Sequence, residues 1–345
     1  MRTSMRAAIA TSPGLPLVIS EMSIPKPQPG EILVKILACG VCHTDLHAID
    51  GDWPVKPRYP FIPGHEVVGV VAALGQGVKN FREGDGIGVP WLHDACDTCE
   101  YCTSGWETLC ASQHNSGYSV DGGYADYMIA SAGYATPLPL DASAPELAPI
   151  LCAGVTSYKG IKETEVRAGE WLAVCGVGGL GHLAVQYGKA MGMHVVAIDV
   201  AQDKLDIARQ AGADLVIDGA SELGVRQLLR ETGGGVHGAL VTAVSTQAFA
   251  QTLRLLRRKG TMSLVGLPPG EFPLPIFDVV LKRLTVRGSI VGTRRDLAEA
   301  LEFALDGKVS ASVQHRRLEE VNEVLAELKA GKVRGRVALV MDAAA

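Results

Sequence analysis

Three glycines in the segment "GVGGLG" directly follow the apolar run "WLAVC", and this junction constrains the fold more than any other part of the chain. Gly176, Gly178 and Gly181 have the G-x-G-x-x-G spacing of a turn that leads from a strand into a helix. Such glycines allow a tight turn, a close backbone approach to a pyrophosphate and close packing of helix on sheet. The spacing predicts a dinucleotide site at the helix N-terminus, although a glycine-rich turn without a ligand has the same spacing.

An acidic residue ends the next predicted strand. Asp199 closes the segment "HVVAID", where a carboxylate binds the ribose 2'-hydroxyl and repels a 2'-phosphate. This position favours NAD over NADP as the coenzyme. We expect Gly179 and Leu180, inside the turn, to line the same site. Lys204 is either a ribose contact or a solvated surface residue.

Strand-like and helix-like segments alternate after residue 170. The predicted strands are 171–175, 194–200, 213–218, 237–244 and 261–267, and the predicted helices are 203–212 and 248–260. This alternation is typical of βαβ units around a parallel sheet that is buried on both faces. Before residue 150 the apolar runs are short and broken by Pro and Gly, which indicates irregular β structure. Two helical patterns, 296–308 and 318–332, precede a last strand at 336–341.

Length and composition limit the classes of protein that fit. A chain of 345 residues exceeds one ordinary core, so we expect two domains. The formal net charge of -5, without a strongly charged block, argues against nucleic acid or a membrane surface as partner and favours a small molecule. No apolar run approaches the ~20 residues of a membrane span, and no signal-peptide core is present. We therefore expect a cytoplasmic protein, in which the eight cysteines are metal ligands or free thiols.

Four of these cysteines lie in the segment "CDTCEYCTSGWETLC". Cys96, Cys99, Cys102 and Cys110 form two overlapping C-x-x-C pairs and a later thiol, so one short loop can surround a tetrahedral ion. Four sulfurs leave no position for water, which predicts a structural zinc site. A redox dithiol needs only two cysteines, and a nucleic-acid-binding zinc ribbon needs basic flanks, whereas these flanks are acidic.

The segment "GVCHTDLH" raises a different question, because its one cysteine cannot form a metal site alone. Partners follow in "PGHEVVG", which contains His65, and in "LCAGVTSYKG", which contains Cys152. Together with Cys42 they provide the two thiolates and one imidazole of a catalytic zinc with an open fourth position. Cys39 and Cys175 remain as core thiols without a chemical role.

With these segments the chain resembles the zinc-dependent medium-chain alcohol dehydrogenases, in particular their yeast and bacterial branch. The stretches that match, in the order of the family, are "GVCHTDLHA", "GDWPVKPRYPFIPGHE", "VPWLHDACDTCEYCTSGWETLC", "PILCAGVTSYKG", "GVGGLGHLAVQY" and "VVAID". The resemblance implies an α/β fold that combines a Rossmann doubly wound parallel sheet with a mainly β, GroES-like catalytic domain. We place the catalytic domain at 1–152 and 291–345 and the NAD-binding domain at 153–290.

The resemblance also implies roles for individual residues. It assigns the catalytic zinc to Cys42, His65 and Cys152, the structural zinc to the other four cysteines, and a proton relay to Thr44 and His47. Asp45 and Glu66 would orient the ligands, and His43 and Arg336 would contact the coenzyme phosphates. Trp53 and Trp91 would line a pocket for short alcohols. Plainer interpretations remain for some of them: Thr44 as a helix cap, and the two tryptophans as packing residues.

The implied activity is reversible oxidation of primary and some secondary alcohols, with hydride transfer to NAD, by a homotetramer with two Zn²⁺ per chain. A bound zinc ion lowers the pKa of an oxygen ligand and polarises a carbonyl, so the same site can also reduce aldehydes. An aldehyde reductase or an aromatic-alcohol dehydrogenase of the same family is the alternative. A metal-free quinone reductase with the same fold would lack the zinc ligands, and this chain has all seven.

Overall fold

A computed structural model describes residues 3–341 of the chain. Its contacts divide the chain into two compact units. The first unit comprises Met1–Cys152, Thr293–Ala298 and Ala311–Ala345, and the second comprises Ala153–Gly292 and Glu299–Ser310. No helix within residues 3–341 combines the length and the apolar character needed to cross a bilayer.

The elements follow one another closely along the chain. The strands are β1 (Ser4–Ile9), β2 (Val18–Ser23), β3 (Glu31–Val41), β4 (Val67–Leu74), β5 (Gly86–Val89), β6 (Leu92–Asp94), β7 (His114–Asn115), β8 (Tyr127–Ser131), β9 (Thr136–Pro137), β10 (Trp171–Cys175), β11 (His194–Asp199), β12 (Leu215–Asp218), β13 (Val236–Val241), β14 (Leu256–Leu264), β15 (Thr285–Gly288), β16 (Val313–Arg317) and β17 (Arg336–Val340). The α-helices are α1 (His43–Asp50), α2 (Glu100–Thr103), α3 (Ala144–Leu147), α4 (Ala153–Glu163), α5 (Gly181–Ala190), α6 (Gln202–Gln210), α7 (Glu222–Glu231), α8 (Thr246–Leu255), α9 (Ile276–Lys282), α10 (Arg294–Leu305) and α11 (Val321–Lys329).

The first unit is built on a mixed, mainly antiparallel sheet in the order β16-β17-β3-β4-β5-β9, with β8 also paired to β3. The 11-residue strand β3 is its centre, and alternate side chains such as Ile32, Val34 and Ile36 are buried in the core. Pairing of β3 with β4 sets Cys39 opposite Val67, and pairing with β17 sets Val41 opposite Val337. The end of β3 and the starts of β4 and β17 therefore meet at one end of this sheet, which brings Cys42, His65 and Arg336 to the same region.

The second unit contains a six-stranded parallel sheet in the order β12-β11-β10-β13-β14-β15. Numbered within the unit this is 3-2-1-4-5-6, the strand order of the doubly wound dinucleotide-binding fold. Consecutive residues of β10, Leu172 to Val174, are fully buried, as expected for a strand covered on both faces. The predicted combination of a Rossmann sheet with a mainly β domain is confirmed.

Two stretches differ from the sequence-based expectation. The helical pattern at 248–260 ends as a helix at Leu255, and Leu256 already starts β14, whose next residues form an irregularity around Lys259. Residues 299–310, expected in the first domain, pack within the second unit. The reason is an aromatic contact: Phe303 packs against the Tyr158 and Tyr187 rings, and the Tyr187 hydroxyl donates to the carbonyl of Ala300.

Candidate functional site

Cys42 lies where β3 ends and α1 begins. Its backbone is extended (φ -126°, ψ 157°), which starts the helix at His43. The carboxylate of Asp45, three residues on, accepts a hydrogen bond from the Cys42 N–H at 2.8 Å. This local arrangement is the N-terminal capping expected of an acidic residue in the first turn, and it fixes the backbone that carries the Cys42 thiol.

His65 precedes β4 and is fully buried beside Cys42. Its Nδ1 lies 2.9 Å from Asp45 Oδ1, and its Nε2 lies 3.3 Å from the Cys152 sulfur. A carboxylate on Nδ1 fixes the tautomer, so the lone pair of Nε2 points towards the thiols. Asp45 thus holds both the imidazole of His65 and the backbone of Cys42.

Glu66 and Arg336 form an ion pair that is entirely buried in the first unit. The Oε2 atom of Glu66 has no hydrogen-bond partner among the described residues. A Cβ built on Gly40 would lie 1.8 Å from that oxygen, so the glycine creates the space for this carboxyl group. Burial raises the pKa of Glu66 to about 7, against the opposing effect of the Arg336 guanidinium.

The ligand atoms of Cys42, His65, Glu66 and Cys152, here called the buried cluster, lie within 4.8 Å of one another. Ligand atoms around a tetrahedral zinc are about 3.8 Å apart for Zn–S bonds of about 2.3 Å. A hydrogen bond from the Cys152 thiol is the main reason why the pKa of Cys42 is lowered well below its ordinary value. Burial of the thiol acts in the opposite direction. The donor set, its spacing and the readily formed thiolate all fit a zinc ion.

Helix α1 presents the two predicted relay residues three positions apart, on one face. Thr44 and His47 are both half-buried. The His47 Nδ1 lies 2.9 Å from Asp52 Oδ1, and its ring stacks on Trp53 with centroids 5.1 Å apart. These contacts fix the ring of His47 and leave Nε2 as its second nitrogen for proton exchange.

Aromatic rings pack against the buried cluster. Trp91 meets the His65 imidazole edge to face, with centroids 5.2 Å apart, and Trp53 lies 6.4 Å from Trp91. Tyr118 packs against both indoles, and its hydroxyl donates to the carbonyl of Val55 in the loop that carries Trp53. The two predicted pocket residues are therefore neighbours of the candidate metal ligands, within the same unit.

The four remaining ligand candidates form a second cluster, the cysteine loop of residues 96–110. Their sulfur atoms also lie within 4.8 Å of one another, with Cys99 and Cys102 sulfurs 3.5 Å apart. Backbone N–H groups point at two of the sulfurs, and hydrogen bonds from Thr98 are the main cause of a Cys96 pKa of about 6. Four thiols of this spacing fit a closed tetrahedral zinc site.

Side chains outside the loop hold it in place. Glu107 is buried, and its Oε1 accepts hydrogen bonds from the backbone N–H and the Nε of Arg294, at 2.9 and 3.2 Å. The Arg294 guanidinium lies over the Tyr134 ring, whose hydroxyl donates to Asp97 at 2.5 Å. The cysteine loop is thus tied to two residues that follow it in the sequence, Tyr134 and Arg294.

In the second unit, the glycine turn has the predicted form. Gly176 follows β10 with φ +93°, and a Cβ there would lie 2.7 Å from the Ala243 nitrogen. A Cβ on Gly181, the first residue of α5, would lie 1.9 Å from the Gly176 oxygen. Asp199 ends β11 and accepts a hydrogen bond from Val177 N–H at 2.7 Å, so its carboxylate lies over the turn.

The other residues of the predicted coenzyme set are divided between the two units. Gly178 is exposed, and Gly179, Leu180 and Lys204 are half-buried near the starts of α5 and α6. His43, the first residue of α1, is exposed in the first unit. Arg336 contacts Glu66, a partner that the sequence did not indicate. Sequence reasoning also missed Asp52, Tyr118 and Tyr124, because no metal-ligand or glycine spacing marks them.

Two protein families match parts of the chain. Residues 28–140 match the family described as "Alcohol dehydrogenase GroES-like domain", and residues 179–306 match "Zinc-binding dehydrogenase". The chain is 58% identical over 339 residues to an alcohol dehydrogenase of Rhizobium meliloti (strain 1021), covering 98% of this chain and 99% of that protein. It is 53% identical over 338 residues to one of Geobacillus stearothermophilus, covering 98% and 100%. The crystal structure of the Aeropyrum pernix alcohol dehydrogenase superposes with a TM-score of 0.88 at 35% identity, covering 97% and 99%.

A GroES-like unit with a candidate metal cluster and a Rossmann unit with a glycine turn are typical of metal-dependent dehydrogenases of the two-domain class. The matches cover nearly the whole length of the chain and of its relatives. The chain belongs to the zinc-dependent medium-chain alcohol dehydrogenase family.

Proposed function

We propose that this chain reversibly oxidises primary and some secondary alcohols to aldehydes or ketones, with hydride transfer to NAD. The observation that carries the proposal is the buried cluster, in which two thiols and one imidazole converge beside a carboxyl group. Zinc held by Cys42, His65 and Cys152 would act there as a Lewis acid on the substrate oxygen. The fourth group, Glu66, is paired with Arg336, so the two thiols and the imidazole would hold the ion and leave a position for the substrate oxygen.

The groups around the ligands serve orientation and charge balance. Asp45 holds the His65 ring and the Cys42 backbone, and Arg336 offsets the negative charge that two thiolates and Glu66 would bring into a buried site. The guanidinium Nε of Arg336 has no partner among the described residues. This unsatisfied donor supports its predicted contact with a coenzyme phosphate, since buried polar groups are normally hydrogen-bonded.

Proton transfer is assigned to α1. The hydroxyl of Thr44 would accept the proton of the substrate hydroxyl, and His47, on the same face of the helix, would release it to water. The partial exposure of His47 supports this role, because a terminal relay group must exchange its proton with water. Asp52 and Trp53 hold the imidazole in one orientation.

NAD is the proposed coenzyme, and Asp199 is the residue that selects it. Its carboxylate would accept the ribose hydroxyls and repel the additional phosphate of NADP. We expect the catalytic efficiency with NAD to exceed that with NADP by more than about tenfold, and Asp199→Gly to narrow the ratio. A wild-type preference for NADP would refute the assignment.

The decisive test of the function is NADH formation from ethanol, followed by absorbance, before and after removal of zinc by a chelator. Elemental analysis should find two zinc ions per chain, and activity should disappear with the metal and return when zinc is added. Activity that survives complete removal of the metal would exclude the proposed chemistry. Ethanol, propanol and butanol should be better substrates than branched secondary alcohols, because Trp53 and Trp91 restrict the space beside His65.

We further propose a cytoplasmic homotetramer. Helix α9 supports self-association, because Ile276, Phe277, Val280 and Leu281 are 57–79% exposed and form an apolar surface. All eight cysteines are free thiols, which supports a reducing compartment such as the cytoplasm. Sedimentation velocity should give a mass of four chains, and Phe277→Ser should shift it towards smaller species. A monomeric wild-type protein would contradict the tetramer without affecting the site.

A further inference from the structure

One tyrosine reaches the metal site without being a candidate ligand. Tyr124 is fully buried in the first unit, and its hydroxyl donates to Asp45 Oδ2 at 2.9 Å. The same carboxylate accepts hydrogen bonds from Cys42 N–H and from His65. We propose that Tyr124 is a positioning residue of the metal centre: its hydroxyl fixes the Asp45 carboxylate, which holds the two ligands. This inference rests on the proposed role of the buried cluster as the catalytic zinc site.

The main chain of the same residue supports the segment that leads to His65. The Tyr124 N–H donates to the carbonyl of Pro63 at 2.9 Å, and the Gly123 N–H donates to the carbonyl of Gly64 at 2.9 Å. The Tyr124 ring also packs closely on Gly64, where an added Cβ would lie 2.6 Å from its Cδ1 atom. Tyr124 therefore acts on both ends of His65: its backbone holds the preceding chain, and its hydroxyl holds the partner of the imidazole.

The hydroxyl contributes something that the ring alone cannot. Asp45 Oδ1 faces His65, and Asp45 Oδ2 accepts from both Cys42 and Tyr124. Without the hydroxyl, the carboxylate plane is set by two donors instead of three, and it can rotate away from the imidazole. Loss of a hydrogen-bond partner of a metal ligand typically reduces metal affinity or activity by about 10–100-fold. Tyr124 lies one hydrogen bond further from the metal, so we expect about the lower end of that range.

The test is the rate at which the zinc-loaded enzyme releases its metal to an excess of a coloured chelator. The phase that is missing in Cys42→Ser belongs to the buried cluster, and the remaining phase belongs to the cysteine loop. Tyr124→Phe keeps the ring and removes the hydroxyl, and it should accelerate only the first phase, by about tenfold. With Co²⁺ in place of zinc, the visible absorption bands of the variant should also shift, which reports a changed ligand geometry directly.

Tyr187→Phe is the matched control. Tyr187 is equally buried, and its hydroxyl donates a single hydrogen bond to the carbonyl of Ala300 in the second unit. The loss of this hydroxyl should lower thermal stability to a similar extent but leave both release phases and the Co²⁺ bands unchanged. A general loosening of the fold would instead affect both variants.

A double-mutant cycle separates action through Asp45 from a direct effect. If Tyr124 acts through Asp45, adding Tyr124→Phe to Asp45→Asn should change the release rate by less than about twofold. Asp45→Asn alone must accelerate the same phase, and this holds whether or not Tyr124→Phe folds well. Wild-type release from Tyr124→Phe or Asp45→Asn, or full additivity of the two changes, overturns the inference. A wild-type enzyme without metal in the buried cluster would overturn the proposed function as well, so the two failures are distinguishable.

Discussion

The two thiol clusters of this protein use the same ligand chemistry in opposite ways. The cysteine loop collects its four thiols from one short stretch, with Cys96 and Cys110 only 14 positions apart, and three of its cysteines are half-exposed. The buried cluster joins distant segments, with His65 and Cys152 87 positions apart. The first cluster is oriented by backbone N–H groups, and the second by the carboxylate of Asp45.

This difference has a physical reason. A closed site with four thiolates needs only to hold its ion, so a short loop with local hydrogen bonds is sufficient. A site that must leave one position open depends on the surrounding fold for the direction of each ligand, and the necessary groups come from several strands. Changes in the buried cluster should therefore appear in turnover, and changes in the cysteine loop should appear in stability.

The largest effect is expected from removal of a ligand of the buried cluster. Cys42→Ser or His65→Ala should lower kcat at least about a thousandfold, because several kcal/mol of Lewis-acid stabilisation disappear with the metal. Coenzyme binding, measured by NADH fluorescence, should remain, since the glycine turn is built within the second unit. Unchanged turnover in either variant would remove the catalytic assignment.

The corresponding change in the cysteine loop should act on the fold. Cys99→Ser should lower the midpoint of thermal unfolding by about 10 °C, because a structural site contributes its binding energy to folding. Turnover per folded molecule should stay within about twofold of the wild type when it is measured well below that temperature. If calorimetry found an unchanged midpoint, the loop would need a different role.

These two clusters also show how much of the candidate sites could be predicted from the sequence. The four cysteines of the loop and the glycine turn were predicted because their spacing reflects coordination and backbone geometry, which are local properties. Cys42, His65 and Cys152 come from distant segments and were predicted as a set from the donor types that zinc needs and from the family resemblance. The doubly wound sheet followed from the alternation of strands and helices. Tyr124 and the Arg336–Glu66 pair were not predicted as contacts, because they depend on which strands become neighbours in the folded sheet.

The end of helix α8 and the boundary of the second unit were also not predicted correctly from the sequence. The helical periodicity of residues 248–260 continued past the true end of α8, because Leu255 and Leu256 are both buried although one ends a helix and the other begins β14. Packing of Phe303 between tyrosines likewise placed 299–310 in the second unit. Both outcomes depend on tertiary contacts that periodicity does not contain.

A matched pair of buried glutamates sharpens the contrast between the clusters. Glu66→Gln should reduce kcat by about tenfold, since Glu66 lies among the ligands and pairs with Arg336. Glu107→Gln weakens the link from the cysteine loop to Arg294 and should cost about 1–2 kcal/mol of stability while leaving kcat unchanged. Steady-state kinetics and thermal unfolding of both variants test this. A loss of turnover in Glu107→Gln equal to that in Glu66→Gln would mean that the clusters are not functionally separate.

The smallest expected effect concerns substrate size. Its test compares one tryptophan at each cluster. Trp91 packs on the His65 ring at 5.2 Å, whereas Trp106 is 40% exposed on the cysteine loop.

Trp91→Ala removes a steric barrier beside the proposed substrate position while taking little contact from ethanol. The ratio of kcat/KM for a branched alcohol to kcat/KM for ethanol should therefore rise by about tenfold, and Trp106→Ala should leave that ratio unchanged. The ratio is the quantity to measure, because a general loss of stability lowers both efficiencies together. Should Trp91→Ala lower both in equal proportion, the indole supports the scaffold, and other residues must define the size of the pocket.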